Sequence, residues 1–253
     1  MIFETHAHYD DARYDDDREE LLNAAYQAGI EKIVNVGASL DSCEKSVALA
    51  QKFPFVYASV GVHPDKVGTL NEETFAWMKE LYANEKVVAV GEMGLDYYWD
   101  TESHENQKYW FVKQLELARE LNLPVIIHSR DAVEDTLDII KAHGQGLRGV
   151  IHCFSYSAEL AMEYVKMGYY IGVGGVVTFP NGRKLKEVVQ AIPLEHIVLE
   201  TDCPYLSPAP NRGKRNVSDN LIYIAQEIAE LKDIDYELVV TQTWKNAEKL
   251  YDM

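Results

Sequence analysis

The stretch "FETHAHYD" places His6 and His8 at alternate positions where the first apolar run ends. A period of two puts both rings on one face of an extended segment, where they can converge on a point, and a metal ion is the usual object there. The pair alone also fits two partly exposed histidines in a turn, so the rest of the chain has to decide. Residues of the same chemistry stop further apolar runs: His63 in "VGVHP", Glu92 in "VGEMGLD", His128 in "VIIHSR", His152 in "VIHCFS" and Asp202 in "VLETDCP". Imidazole nitrogens with carboxylate oxygens and no thiolate suit zinc, manganese or iron, with magnesium less favoured by the number of histidines. One or two such ions would lower the pKa of water toward about 7 and stabilise charge on a leaving oxygen. Asp202, a carboxylate beside that water, is the candidate proton shuttle.

Something must bring these residues together. Eight short runs rich in Val and Ile recur, beginning with "MIFETHAH" and ending with "HIVLETDCP", each followed by a longer amphipathic segment. Runs apolar on both faces suit buried parallel strands. Between them lies helical spacing, as in Phe111, Leu115, Ala118 and Leu121. Asp131 with Glu134 three residues on predicts a capped helix start, Gly168 a helix end, and Asp235 the start of the last helix. One strand and helix per thirty residues or so is the size of a unit in a closed barrel. An open doubly wound sheet gathers its site at one crevice, whereas a barrel collects single residues from many strand ends. The polar residues here come from many ends, which predicts an α/β fold, a closed (β/α)8 TIM-type barrel, with residues 1–253 as a single domain.

The ordered series "ETHAHYD", "VGVHP", "GEMGLDYY", "QLELARELNLPVIIHSRDA", "IHCFS", "LETDCPYLSP" and "NRGKRN" resembles the motifs of the TatD-type metal-dependent deoxyribonucleases, within the amidohydrolase-like barrel superfamily, over essentially the whole chain. The resemblance implies that His6, His8, Glu92 and Asp202 hold one divalent ion, and that His128 and His152 hold a second with Glu92 bridging, which makes Glu92 catalytic alongside Asp202. It also implies removal of nucleotides from DNA ends. Two positions depart from the family pattern: Val217-Ser218 stand where Glu-Pro often follows "RGKRN", and Tyr156 replaces the glycine of "HCFSG". Both are expected in loops over the pocket mouth, bearing on substrate more than on metal.

Composition limits the substrate. With 24 basic and 41 acidic residues the formal net charge is −17, so the chain repels polyanions except where positive charge is concentrated. Two dications against Glu92 and Asp202 leave the site positive, and Arg212, Lys214 and Arg215 stand in one loop segment. His63, Arg130, Arg212 and Lys214 are the candidate substrate-binding residues, Arg130 because it lies two positions beyond His128. Tyr97, Tyr98 and Trp99 fit either base stacking or loop packing. Cys153 and Cys203 follow presumed ligands, but strand alternation turns them away, so they read as small hydrophobes. Three widely spaced cysteines, no signal-peptide pattern and no run of about 18 apolar residues suggest a cytoplasmic protein with no membrane association. The leading reading is a deoxyribonuclease acting on ends or single strands. The alternative is a hydrolase of a small ester, lactone or amide, or of an aminoacyl ester on RNA, since the same chemistry attacks carbonyl carbon. A non-catalytic metal-holding scaffold is the third. DNA or another phosphodiester or ester substrate is the expected partner, with no obligate protein partner.

Overall fold

The structure, a computed structural model, describes residues 1–99 and 101–253. The β-branched runs form eight strands: β1 Ile2–Ala7, β2 Ile30–Val36, β3 Val56–Val60, β4 Val87–Asp96, β5 Val125–Arg130, β6 Gly149–Ile151, β7 Tyr170–Val173 and β8 Ile197–Leu199. They follow one another in the sheet in chain order. Helices separate them: α1 Arg18–Gln27, α2 Leu40–Lys52, α3 Glu72–Glu80, α4 His104–Leu121, α5 Val133–His143, α6 Ala158–Lys166 and α7 Arg183–Ala191. After β8 come α8 Leu221–Lys232 and α9 Tyr236–Tyr251. This alternation, in sequential strand order, is the (β/α)8 barrel fold expected from the runs. By its internal contacts the chain divides into two compact units, residues 1–35 with 152–253 and residues 36–151.

In the first unit β8 returns to β1. Asp202 donates its backbone N–H to the His6 carbonyl at 3.0 Å, His8 donates to the Cys203 carbonyl at 2.8 Å, and the Thr5 hydroxyl donates to the Leu199 carbonyl at 2.8 Å. Behind these strands, α9 buries Phe3 between Trp244 and Tyr251, with ring centroids 5.6 and 5.8 Å away. The buried Asn246 amide donates to the carbonyls of Leu194 and Ile197, both at 2.7 Å.

In the second unit β4 bends sharply. Its register against β5 shifts between Val90 and Met93, around Glu92. The bend needs glycine on both sides: Gly91 has φ 145° and Gly94 φ 143°, and a Cβ at Gly94 would run into the His128 carbonyl. Across from the strands, α4 turns two fully buried glutamines inward. Gln114 accepts from the Val62 N–H at 2.8 Å and donates to the Val62 carbonyl at 3.2 Å. Gln107 does the same for Asp96, at 2.8 and 3.0 Å. Each amide acts as a peptide mimic that satisfies a strand end where the sheet ladder stops. Gln114→Leu leaves both Val62 groups buried without that partner, so we expect a loss of about 2–5 kcal/mol in stability, read as a lower denaturant midpoint.

The helix punctuation holds in part. Gly168 takes a left-handed φ of 89° just past α6, and Asp235 is the N-cap residue of α9. Asp131 does not cap α5: it sits at φ 53°, the N-cap position falls on Ala132, and no side chain caps it. Among the described residues no helix is long and apolar enough to cross a membrane.

Candidate metal centres

In the first unit, the end of β1 supplies His6 and His8, the residue after β6 supplies His152, and the turn after β8 supplies Asp202. Asp202 adopts φ 55°, which turns its carboxylate back over β1. Its Oδ1 lies 3.4 Å from His8 Nε2 and 3.8 Å from His6 Nε2, and the two Nε2 atoms are 3.1 Å apart. His152 stacks on His6 at 4.0 Å between centroids, with an angle of 11° between planes. Ligand atoms of His6, His152 and Asp202 lie within 4.8 Å of one another. Burial pushes the Asp202 carboxyl up, but the bond from His8 and the neighbouring His152 and His6 outweigh it and hold the group below the usual range. It is therefore ionised at neutral pH.

Glu4, two residues before His6 on the same strand face, is fully buried. It accepts from the Thr201 N–H at 2.9 Å, the Thr201 hydroxyl at 2.6 Å and the His6 N–H at 3.2 Å. Burial raises its pKa to about 8 despite these donors. Glu4 thus ties β1 to the segment that presents Asp202.

In the second unit, Glu92 on β4 and His128 on β5 meet through Oε1 and Nδ1 at 2.9 Å. His63, just past β3, presents Nε2 to the same Glu92 oxygen at 3.7 Å, while its Nδ1 pairs with Asp65 at 2.6 Å. Ligand atoms of His63, Glu92 and His128 lie within 4.8 Å of one another. On its other side His128 Nε2 faces Asp96 Oδ2 at 3.0 Å. Burial pushes the His128 pKa down, but the bonds to Asp96 and Glu92 lift it to about 9. Asp96 itself is raised by burial and, on balance, lowered by His128 and by two backbone N–H donors.

Both clusters combine imidazole nitrogen with carboxylate oxygen and include no thiolate. That donor chemistry fits a borderline divalent cation. The sequence reading missed two residues that set these clusters, Asp96 and Glu4. Strand alternation was the available signal, since Asp96 stands four positions past Glu92 and Glu4 two before His6.

The basic candidates are dispersed. Arg130 ends β5 with its guanidinium carbon 3.7 Å from the Tyr98 ring centroid. Arg212 is exposed and lies 3.6 Å over Phe179, and the exposed Lys214 donates to Asn211 at 3.2 Å. Arg215 pairs with Asp17 at 2.5 Å, so it straps the loop to the N-terminal segment. Asn216, fully buried, anchors the same loop by donating to the carbonyls of Thr201 at 3.0 Å and Tyr205 at 2.7 Å.

Ser218 corrects an expectation. It is fully buried rather than set over a pocket mouth, with its hydroxyl and N–H each 3.0 Å from the Tyr9 hydroxyl. Tyr156 is half-buried, edge-on to Phe154 at 5.7 Å. Cys203 is buried and its thiol is pushed up to about 12 by burial, in keeping with an apolar role. The reason differs from strand alternation, because Cys153 and Cys203 both lie past strand ends.

Comparison with known proteins places this geometry. The model of the TatD related DNase family matches residues 3–252. The chain is 46% identical over 252 residues to the metal-dependent hydrolase YabD of Bacillus subtilis strain 168, covering 99% of both chains. It is 35% identical over 260 residues to the metal-dependent hydrolase TatD of Mycobacterium tuberculosis H37Rv, covering 100% of this chain and 98% of that one. The crystal structure of YjjV, a TatD homologue from Escherichia coli K12, superimposes with a TM-score of 0.94 at 30% identity, covering 100% of this chain and 98% of the other.

Proposed function

This chain belongs to the TatD-related DNase family and is a metal-dependent hydrolase, and on that premise we propose that it hydrolyses phosphodiester bonds of DNA at ends or in single strands. The observation that carries the reading is the gathering of metal-type donors in the C-terminal halves of strands or just past them, His6, His8, His152 and Asp202 in one unit and Glu92 and His128 in the other. We assign these six residues to one or two divalent ions, zinc, manganese, iron or magnesium, with Glu92 shared as the family resemblance implies.

When bound, the cation supplies Lewis acidity, making water ionise near neutral pH and taking up charge on phosphate oxygen. The chain does the rest. Asp202, held ionised by the surrounding imidazoles, accepts the proton released in attack and returns it to the leaving oxygen. Glu4 and Thr201 fix the backbone that aims it. His63, held through Nδ1 by Asp65, presents Nε2 toward Glu92 and contributes to substrate binding there. The exposed Arg212 and Lys214 supply local positive charge for the strand against a net charge of −17 that repels it elsewhere. A duplex groove would demand a broad basic surface, which this composition does not supply. Cys43, Cys153 and Cys203 form no disulfide among the described residues, which supports a cytoplasmic setting.

The test is metal analysis of the purified protein coupled to hydrolysis of labelled single-stranded DNA, duplex DNA, RNA and simple esters, with and without chelator. We expect single-stranded or frayed DNA to be cut fastest, with loss on chelation and recovery on adding a divalent ion. Turnover of carbonyl esters with DNA untouched would overturn the assignment in favour of an esterase, lactonase or amidase, and cleavage confined to the aminoacyl ester of charged RNA would likewise replace it.

A further inference from the structure

The loop that leaves β4 holds two of the most exposed large aromatic residues of the chain, Tyr98 at 54% and Trp99 at 59%. Single exposed aromatics are common on protein surfaces. This pair is organised. The two rings meet edge-on, 4.9 Å between centroids at 87°. The Arg130 guanidinium lies 3.7 Å from the Tyr98 centroid and 5.5 Å from that of Trp99. Below them Tyr97 is fixed, its ring stacked on His104 at 3.5 Å and its hydroxyl donating to Asp135 at 2.6 Å.

The same carboxylate sets this platform and the reaction centre. Asp96 Oδ1 accepts the backbone N–H groups of Tyr98 at 2.9 Å and Trp99 at 3.2 Å, while Oδ2 faces His128 Nε2 at 3.0 Å. Arg130 follows His128 by two residues on β5. The aromatic pair therefore stands at a fixed, short span from a candidate metal ligand.

We infer that Tyr98, Trp99 and Arg130 form a stacking subsite for an unpaired nucleobase next to the phosphate being cut, an inference that rests on the DNA reading above. With the rings at 87° a base stacks on one of them only, and with Arg130 over Tyr98 the more exposed Trp99 offers the face. Stacking tolerates any base because every base has a π face. The guanidinium stacks on the aromatic face and keeps its charge for an adjoining phosphate. A small aliphatic ester would leave this surface unused. A base held in a duplex presents its face to its neighbours, which matches the subsite to single strands.

The test uses the full-length protein and two labelled phosphorothioate strands of equal length, one of thymidines and one abasic, with affinity read by anisotropy. We expect the base-bearing strand to bind about tenfold more tightly, as the loss of one stacked base implies. Replacing Tyr98→Ala and Trp99→Ala together should bring the ratio toward one. Trp99→Phe should keep the ratio while removing most of the fluorescence quenching that the thymidine strand causes in the parent protein. An unchanged ratio in the double variant, or equal binding of both strands by the parent, overturns the subsite. The two readings fail separately: DNA cleavage with equal binding removes the subsite alone, whereas a tenfold ratio in a protein that cuts only carbonyl esters removes the deoxyribonuclease reading and leaves the subsite standing.

Discussion

Asp202→Asn is expected to lower kcat by about 10²–10⁴-fold while the purified protein keeps most of its metal at saturating supply. The carboxylate faces three imidazoles and lies in the turn that β8 hands back to β1, donating its own N–H to the His6 carbonyl at 3.0 Å. Asparagine preserves one oxygen for a cation and the same backbone bond, so ligation and fold are largely retained. It does not accept a proton at neutral pH. If Asp202 moves the proton between attacking water and leaving group, the loss falls on kcat and KM changes little. Metal content by mass spectrometry, with kcat and KM on single-stranded DNA, separates the roles. Near-normal turnover at full metal occupancy would reduce Asp202 to a ligand.

Asp96→Asn is expected to weaken metal binding by about 10–100-fold, although Asp96 is not among the proposed ligands. Its Oδ2 holds the proton on His128 Nε2, so a cation that displaces the Nδ1 proton now shared with Glu92, 2.9 Å away, would find the lone pair on Nδ1. An asparagine cannot serve both sides. With its NH2 toward His128 it favours the tautomer protonated on Nδ1 and removes the lone pair. With its oxygen toward His128 it turns NH2 against the N–H groups of Tyr98 and Trp99. Either orientation costs. Titration of the metal-depleted variant with zinc or manganese, followed by competition with a chelator of known affinity, measures the effect. Parent-like affinity would show that Asp96 serves only the loop.

Residue type and spacing are local properties, and whatever depends on them was readable before any coordinates. Eight Val- and Ile-rich runs became eight parallel strands in chain order, because a strand buried on both faces must be apolar throughout. Most of the histidines and carboxylates read as stopping those runs lie in the last residues of a strand or just past it, because a barrel opens its site at that edge. Glu92, however, stands inside β4, which continues to Asp96, and His128 stands two residues before the end of β5. Pairing across the chain was not readable. Gln107 and Gln114 are polar residues on a helix, a pattern that reads as solvent-facing, yet each satisfies a buried strand end. Arg130 reads from its spacing as a substrate-binding residue beside His128, but only packing lays its guanidinium on Tyr98, and Arg215 reads as one of three loop cations, but only the fold pairs it with Asp17, 198 residues away. Asp131 had cap chemistry, but the left-handed turn after β5 moved the helix start past it. The sequence determined which chemistry the strand ends carry. Which oxygen faces which nitrogen was decided by the tertiary structure, because a hydrogen bond depends on tenths of an ångström set by backbone turns and packing far from either partner.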